Sequence, residues 1–222
     1  MQNTSYAQFA IINDADGFVN VRDAPNKSGM VIGKIYEGSI FFTLWADEDT
    51  SWTTFDCLEK GCERAGYVHK SRVKYLSSFS NVPNIQNEEM KSVYRKDSIQ
   101  VSITLSKFNL KANKIDTPGE DFKINGADVW GADAYSKPET QFKLVEIKIG
   151  EHKIIIPQEG LQNVFIPFYP KNRNNFSSQV TYDKKSDTLY IINAIGDAGL
   201  SYELLWIIEK GEYKKRLVTI GF

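Results

Sequence analysis

The stretch that decides the fold class is IQVSITL at residues 99–105, in which apolar and polar side chains alternate strictly. A period of two predicts a strand with one buried face. The stretch FVNVR at residues 18–22 shows the same pattern nearer the N-terminus. The aromatic content, 13 Phe, 11 Tyr and 4 Trp in 222 residues, also favours β structure. We therefore predict a mainly all-β protein.

Composition and charge limit the possible partners. The chain carries 27 Lys and Arg against 28 Asp and Glu, a net charge of −1, and 41% of its residues are hydrophobic. This balance is typical of a folded protein and provides no basic excess of the kind that nucleic-acid binding needs. No apolar run approaches the roughly 18 residues that span a bilayer. We expect no nucleic-acid partner and no membrane-spanning segment.

Three regions follow from the order of strand and turn signals. Residues 1–76 contain short apolar strands separated by turns rich in Gly, Asn and Asp, which predicts a small barrel. Residues 77–96 predict a linker followed by a short helix at 88–95, where acidic residues precede basic ones. Residues 97–222 predict three hairpins, at 140–156, 180–194 and 201–220, forming an antiparallel meander. Such a meander makes a sandwich or an open barrel.

Residues 17–76 resemble the bacterial SH3-like domain, a small β-barrel common in cell-envelope proteins. The resemblance is carried by VNVRDAP at 19–25, VIGKI at 31–35, SWT at 51–53 and GYVHKS at 66–71, in that family's order and spacing. It implies an SH3-like barrel in an envelope protein. Members of the family bind peptidoglycan stems in some proteins and other proteins elsewhere. The acidic turn at 47–49 and a hairpin flanked by cysteines depart from the family's plain pattern.

The two cysteines bear on the compartment. Cys57 and Cys62 flank a loop of the length that joins hairpin strands. Cross-strand neighbours lie about 4.5–5.5 Å apart at Cα, within reach of a disulfide. A disulfide predicts an oxidising compartment, here the periplasm or cell envelope, with a signal sequence removed ahead of Met1. The alternative is a reduced hairpin in a cytosolic protein. No second Cys or His pair lies nearby, so we expect no metal and no cofactor.

Catalytic patterns are sparse. The cell-wall cysteine peptidases that accompany SH3-like domains carry their Cys in a separate domain, but residues 97–222 contain no cysteine. His152 lies on a predicted strand, and no Gly-x-Ser-x-Gly elbow is present. We expect no enzyme. A minor alternative is a glycoside hydrolase, because paired carboxylates cleave sugars and several gather near Trp130 and Tyr135. These are Asp116, Glu120, Asp121, Asp128 and Asp133.

Acidic and aromatic side chains on loops and on the barrel are the candidate binding residues. Exposed aromatic side chains with polar rims mark interaction surfaces. The candidates are Asp47, Glu48, Asp49, Trp52, Tyr67, Trp130, Tyr135, Phe168 and Tyr169. We expect a non-catalytic envelope protein that binds and neutralises a protein partner, such as a toxin or a cell-wall hydrolase, as immunity and inhibitor proteins do. The alternative is a peptidoglycan-binding protein.

Overall fold

The computed structural model describes residues 7–44, 51–58, 66–116, 122–167, 176–196 and 198–220. The chain divides into two compact units, one ending at Phe79 and the other running from Ser80 to Ile220. Each unit consists mainly of antiparallel strands, so the predicted all-β class is confirmed. Within the described residues, helix is limited to α1 (Gln158–Leu161) and to short 3₁₀ turns at Lys70–Arg72, Leu76–Ser78, Leu110–Ala112 and Ala198–Leu200.

The first unit is a single curled sheet. Its strands are β1 (Gln8–Ile12), β2 (Phe18–Arg22), β3 (Val31–Tyr36), β4 (Ile40–Thr43), β5 (Trp52–Cys57), β6 (Tyr67–His69) and β7 (Val73–Tyr75). They pair in the order β3-β2-β6-β5-β4-β1-β7. Ala10, Val21, Phe41 and Val68, from strands across the whole order, meet in one buried cluster. The sheet therefore bends over its own core, but in the described residues its ends β3 and β7 do not pair, so the predicted small barrel is not closed there.

The second unit contains three sheets. Its strands are β8 (Ser80–Val82), β9 (Asn84–Glu88), β10 (Lys91–Lys96), β11 (Ile99–Lys107), β12 (Ile115–Asp116), β13 (Lys123–Ile124), β14 (Ala127–Asp128), β15 (Thr140–Ile149), β16 (His152–Ile155), β17 (Phe165–Ile166), β18 (Phe176–Asp183), β19 (Thr188–Ile195), β20 (Tyr202–Glu209) and β21 (Glu212–Thr219). One sheet runs β16-β15-β11-β10-β9, with β17 also paired to β15. Another runs β21-β20-β19-β18-β8, and β12-β13-β14 form a small third sheet.

The two larger sheets share one core. Val101 and Ile103 of β11 and Leu204 and Trp206 of β20 belong to a single buried cluster. Since the alternate residues of each strand enter this cluster, the two sheets pack as a sandwich. The alternation at 99–105 is thus confirmed, as are the hairpins β15–β16, β18–β19 and β20–β21.

The predicted short helix at 88–95 is wrong. That segment contains the turn between β9 and β10, and β10 pairs with β11 over its whole length. Val93 and Tyr94 favour strands and are buried, so tertiary pairing outweighs the charge pattern that suggested a helix. Residues 80–88, predicted as part of a linker, form β8 and β9. Cys62 lies outside the described residues, so the disulfide stays a prediction.

Candidate functional site

Only part of the predicted binding set can be located. Asp47, Glu48, Asp49, Phe168 and Tyr169 lie outside the described residues. The four others divide between the units, with Trp52 and Tyr67 in the first and Trp130 and Tyr135 in the second. The described members of the predicted set therefore form two groups, one in each unit.

Trp52 lines a pocket of about 440 Å³ in the first unit. Register places Trp52 of β5 opposite His69 of β6, and the two rings meet edge to face with centroids 5.2 Å apart. Phe18 provides a second aromatic side chain, and the pocket's cationic lining consists of Arg22, Lys27 and Arg72. Tyr67 lies two residues before His69 on β6 and opposite Arg22 of β2, but it is not part of the described pocket lining.

The cations of this pocket differ in how they are held. The Arg22 guanidinium donates to the Gly29 carbonyl at 2.5 Å and so fixes the loop that follows β2. Arg72 forms a close ion pair with Asp14, which raises the pKa of Arg72 and lowers the pKa of that carboxyl. Lys27 is exposed and has no ion-pair partner within the described part of the chain. The pocket therefore offers the free Lys27 ammonium to an anionic ligand, while Arg22 and Arg72 already have partners and the Asp16 carboxylate, 3.6 Å from Arg72, is also part of the lining.

The open edge of β3 was not predicted as a functional site. β3 pairs with β2 on one side, and no described strand pairs with its other side. Met30, Val31 and Tyr36 at this edge are 67%, 46% and 61% exposed. The strand itself is visible in the sequence, but its position at the end of the sheet depends on long-range pairing and has no local signal.

Trp130 has a packing role in the second unit. Its backbone N–H donates to the Asn163 carbonyl at 2.9 Å, and its carbonyl accepts from the Phe165 N–H at 3.0 Å. Its half-buried ring lies 5.9 Å from the ring of Tyr202. Gly131 follows at a φ of +77°, and a Cβ there would lie 2.1 Å from the Phe165 carbonyl oxygen. These contacts attach residues 130–131 to β17 and leave little of Trp130 for a partner.

Tyr135 lies in a surface turn. Asp133 Oδ1 accepts from the backbone N–H groups of Tyr135 and Ser136, at 2.8 and 2.6 Å. The Tyr135 side chain is 97% exposed. Trp130 is half-buried and Tyr135 is fully exposed, so the two aromatic side chains have different environments and do not act as one surface.

The loop carboxylates behind the glycosidase alternative have separate partners where they are described. Asp116 pairs with Lys114 at 2.8 Å, and Asp128 pairs with Lys123 at 3.5 Å. Asp133 is engaged in the turn at Tyr135. Glu120 and Asp121 lie outside the described residues. Asp116 of β12 and Asp128 of β14 lie on either side of Lys123 of β13.

Within the described ranges, no three His, Cys, Asp or Glu side chains gather in a way that could hold a metal ion. None of the described helices has the length and apolar character required to cross a bilayer. His152 is exposed on β16, the edge strand of its sheet. The surfaces left for a functional argument are therefore pockets and sheet edges.

No protein-family model matches the chain, and comparisons with curated proteins and with solved structures find no match. The resemblance of residues 17–76 to the bacterial SH3-like domain therefore stays a prediction from the residues that carry it.

Proposed function

We propose that this chain is a non-catalytic binding protein of the bacterial cell envelope that binds and neutralises a protein partner. The partner class is an envelope-acting toxin or a cell-wall hydrolase, as for immunity and inhibitor proteins. The observation that supports the proposal is the open edge of β3, with its three exposed apolar side chains. The resemblance to an envelope family and the predicted Cys57–Cys62 disulfide support the location.

An open sheet edge is suited to a protein partner because its backbone N–H and C=O groups can pair with another strand. Natural edges are usually shortened or interrupted by Pro or bulges, or carry charged residues. β3 has six residues and no Pro, and its single charged side chain is Lys34. The Lys34 ammonium lies 3.8 Å from the centroid of the Phe18 ring on the neighbouring strand. The register with β2 shifts at Ile32, so a bulge interrupts the start of β3, and the stretch from Gly33 to Tyr36 is the part of the edge with the least protection against pairing.

The exposed side chains supply the specificity that backbone pairing lacks. Val31 and Tyr36 lie at the two ends of β3, and Met30 precedes it. An extended partner segment paired along β3 would cover these side chains and remove their apolar surface from water, at roughly 25 cal/mol per Å². The acidic turn at 47–49, outside the described residues, stays a further predicted contact.

One experiment tests both whether the chain neutralises its partner and whether the β3 edge is the surface that binds it. A toxin or wall hydrolase encoded beside this chain is co-expressed with it in the periplasm, and growth is measured. We expect the chain to restore growth and Val31→Lys/Tyr36→Lys to abolish protection, because charges block edge pairing. Ile85→Lys, at another exposed apolar side chain, is the matched control and should protect. A double variant that protects as well as the unchanged chain would rule out the β3 edge.

A second candidate function, peptidoglycan binding, is favoured by the Trp52 pocket. Trp52 can pack against a sugar ring, and Lys27 can bind a carboxylate of a peptide stem. We expect purified sacculi to retain the protein if this function holds, and Lys27→Glu to reduce retention because Lys27 is the free cation of the pocket. The variant Val31→Lys/Tyr36→Lys separates neutralisation of a protein partner from peptidoglycan binding, since it should bind sacculi normally. No retention of the unchanged protein would eliminate this candidate.

A further inference from the structure

A cleft in the second unit has a lining suited to a small polar ligand and not to a protein strand. It has a volume of about 540 Å³ and is bordered by β15, α1 and the small sheet β12-β13-β14. Ligand sites in proteins usually measure about 300–1,000 Å³. The cleft lies within the second unit, so it is separate from both the β3 edge and the Trp52 pocket.

Side-chain amides dominate the described lining of the cleft. They are Asn113, Asn125, Gln141, Gln158, Gln162 and Asn163. No Asp or Glu is among the described lining residues, and Lys143 is the one charged side chain there. Each amide carries both a donor and an acceptor, which is the hydrogen-bonding character of a sugar hydroxyl.

Three of these amides are available to a ligand. Asn125 donates to Asn113 at 2.8 Å, so that pair is already satisfied, and Gln141 makes a long contact of 3.4 Å with Ser106. In the described chain, the side-chain amides of Gln158, Gln162 and Asn163 make no hydrogen bond. These three belong to one short segment at one side of the cleft.

That segment is held firmly from behind. The indole N–H of Trp206 donates to the Gly160 carbonyl at 2.8 Å, and Arg216 donates to the Gln162 carbonyl at 2.5 Å. A Cβ at Gly160 would lie 2.5 Å from Ile156 Cγ2, so α1 packs closely on the sandwich. Because the backbone of this segment is fixed, a ligand has to order only the side chains, which favours binding.

Aromatic side chains form another part of the wall. Phe108 and Phe165 meet edge to face with ring centroids 5.1 Å apart. Phe165 is buried and supports Phe108, which is half-buried and leaves part of its ring accessible. An accessible ring beside free amides gives one surface for the apolar face of a ligand and another for its polar groups.

We propose that this cleft binds a neutral saccharide. The paired donors and acceptors of Gln158, Gln162 and Asn163 match vicinal hydroxyls, and Phe108 packs against the C–H face of the ring. A single ammonium gives little attraction for an anionic ligand, and the absence of carboxylates from the described lining gives none for a cation. The open shape of the cleft suits a chain of sugar units rather than an enclosed single unit.

The test measures binding of chitotriose, cellotriose and maltotriose to the full chain, by calorimetry and saturation-transfer NMR at millimolar ligand. We expect at least one trisaccharide to bind. Gln158→Ala and Gln162→Ala should each weaken binding about fivefold and together about 25-fold, because each removes one hydrogen-bonding group. Both side chains are exposed, so the variants should fold normally. Gln86→Ala, at an exposed glutamine outside the cleft, should leave binding unchanged.

Two further measurements test the contact with the Phe108 ring and the preference for an uncharged ligand. Phe108→Leu keeps apolar volume but removes the flat ring, and it should weaken binding while the protein stays folded, with a modest fall in the thermal unfolding temperature from the lost edge-to-face pair with Phe165. A trisaccharide of galacturonic acid tests the charge argument and should bind no better than the neutral probes. Failure of all neutral probes to bind would overturn the proposal, as would unchanged binding by the double glutamine variant or clear preference for the acidic probe.

Discussion

Glu203 gives the second unit a pH-dependent stability that one substitution should remove. It lies on β20 between the buried residues Tyr202 and Leu204, and faces Ala194 and Thr219 across the sheet. Burial raises the pKa of the Glu203 carboxyl from 4.5 to about 8. The folded protein therefore keeps a proton on Glu203 at neutral pH, where the unfolded chain has released it.

The sign and size of the effect follow from this difference. Because the folded pKa is raised, the proton-linked stability is fully present below the unfolded value of 4.5 and is lost as pH rises towards 8. Each pKa unit corresponds to about 1.4 kcal/mol, so the whole shift has a ceiling near ~5 kcal/mol. Glu203 keeps some exposure, and water there lowers the penalty. We expect a loss of about 2–4 kcal/mol across this pH window.

The assay is urea unfolding of the full chain, followed by circular dichroism between about pH 5 and about pH 9. Glu203→Gln keeps the shape of the side chain but cannot ionise, so it should flatten the decline and stabilise the protein at the alkaline end. Glu209→Gln, on the same strand, is the matched control and should retain the decline. Equal pH dependence in the unchanged protein and in Glu203→Gln would refute the reasoning.

Two other substitutions test packing in the second unit. Thr140→Val should raise the free energy of unfolding by about 1 kcal/mol in urea titrations, because Thr140 Oγ1 is buried without a hydrogen bond; a clear loss of stability would show that the hydroxyl has a partner. Gly131→Ala should lower the free energy of unfolding by about 3 kcal/mol, since its Cβ would clash with the Phe165 carbonyl. Gly126 also has a positive φ, but a Cβ there would meet open space, so Gly126→Ala should lower the free energy of unfolding by only about 1 kcal/mol. Equal losses of stability in the two variants would show that the clash at Gly131 does not matter.

The local features of the fold could be predicted, while its long-range arrangement could not. Alternation at 99–105 identified β11 because one face of that strand enters the core of the sandwich. The helix prediction at 88–95 failed because the charge order there is a weak signal, and pairing of β10 with β9 and β11 outweighs it. Strand order is set by such pairing, so the open edge at β3 had no signature in the sequence.

The candidate sites also depend on long-range contacts that have no local signal in the sequence. Trp52 was predicted as a binding residue and lines a pocket, but the cations beside it come from separate segments, including Lys27 and Arg72. Trp130 was predicted on its residue type and is instead largely engaged in attaching its segment to β17. The amide cleft draws its lining from four separated stretches, near residues 106–113, 124–127, 141–143 and 158–165. No local motif could have indicated it.

Hydrogen exchange measured on the complex with a neutralised partner tests the central proposal most directly. The partner is the toxin or hydrolase encoded beside this chain, and exchange is compared with and without it. Pairing at the open edge predicts new protection of backbone N–H groups across Val31–Tyr36, with no change at β9, another sheet edge. A stable complex in which β3 exchanges as fast as in the free protein would contradict the account.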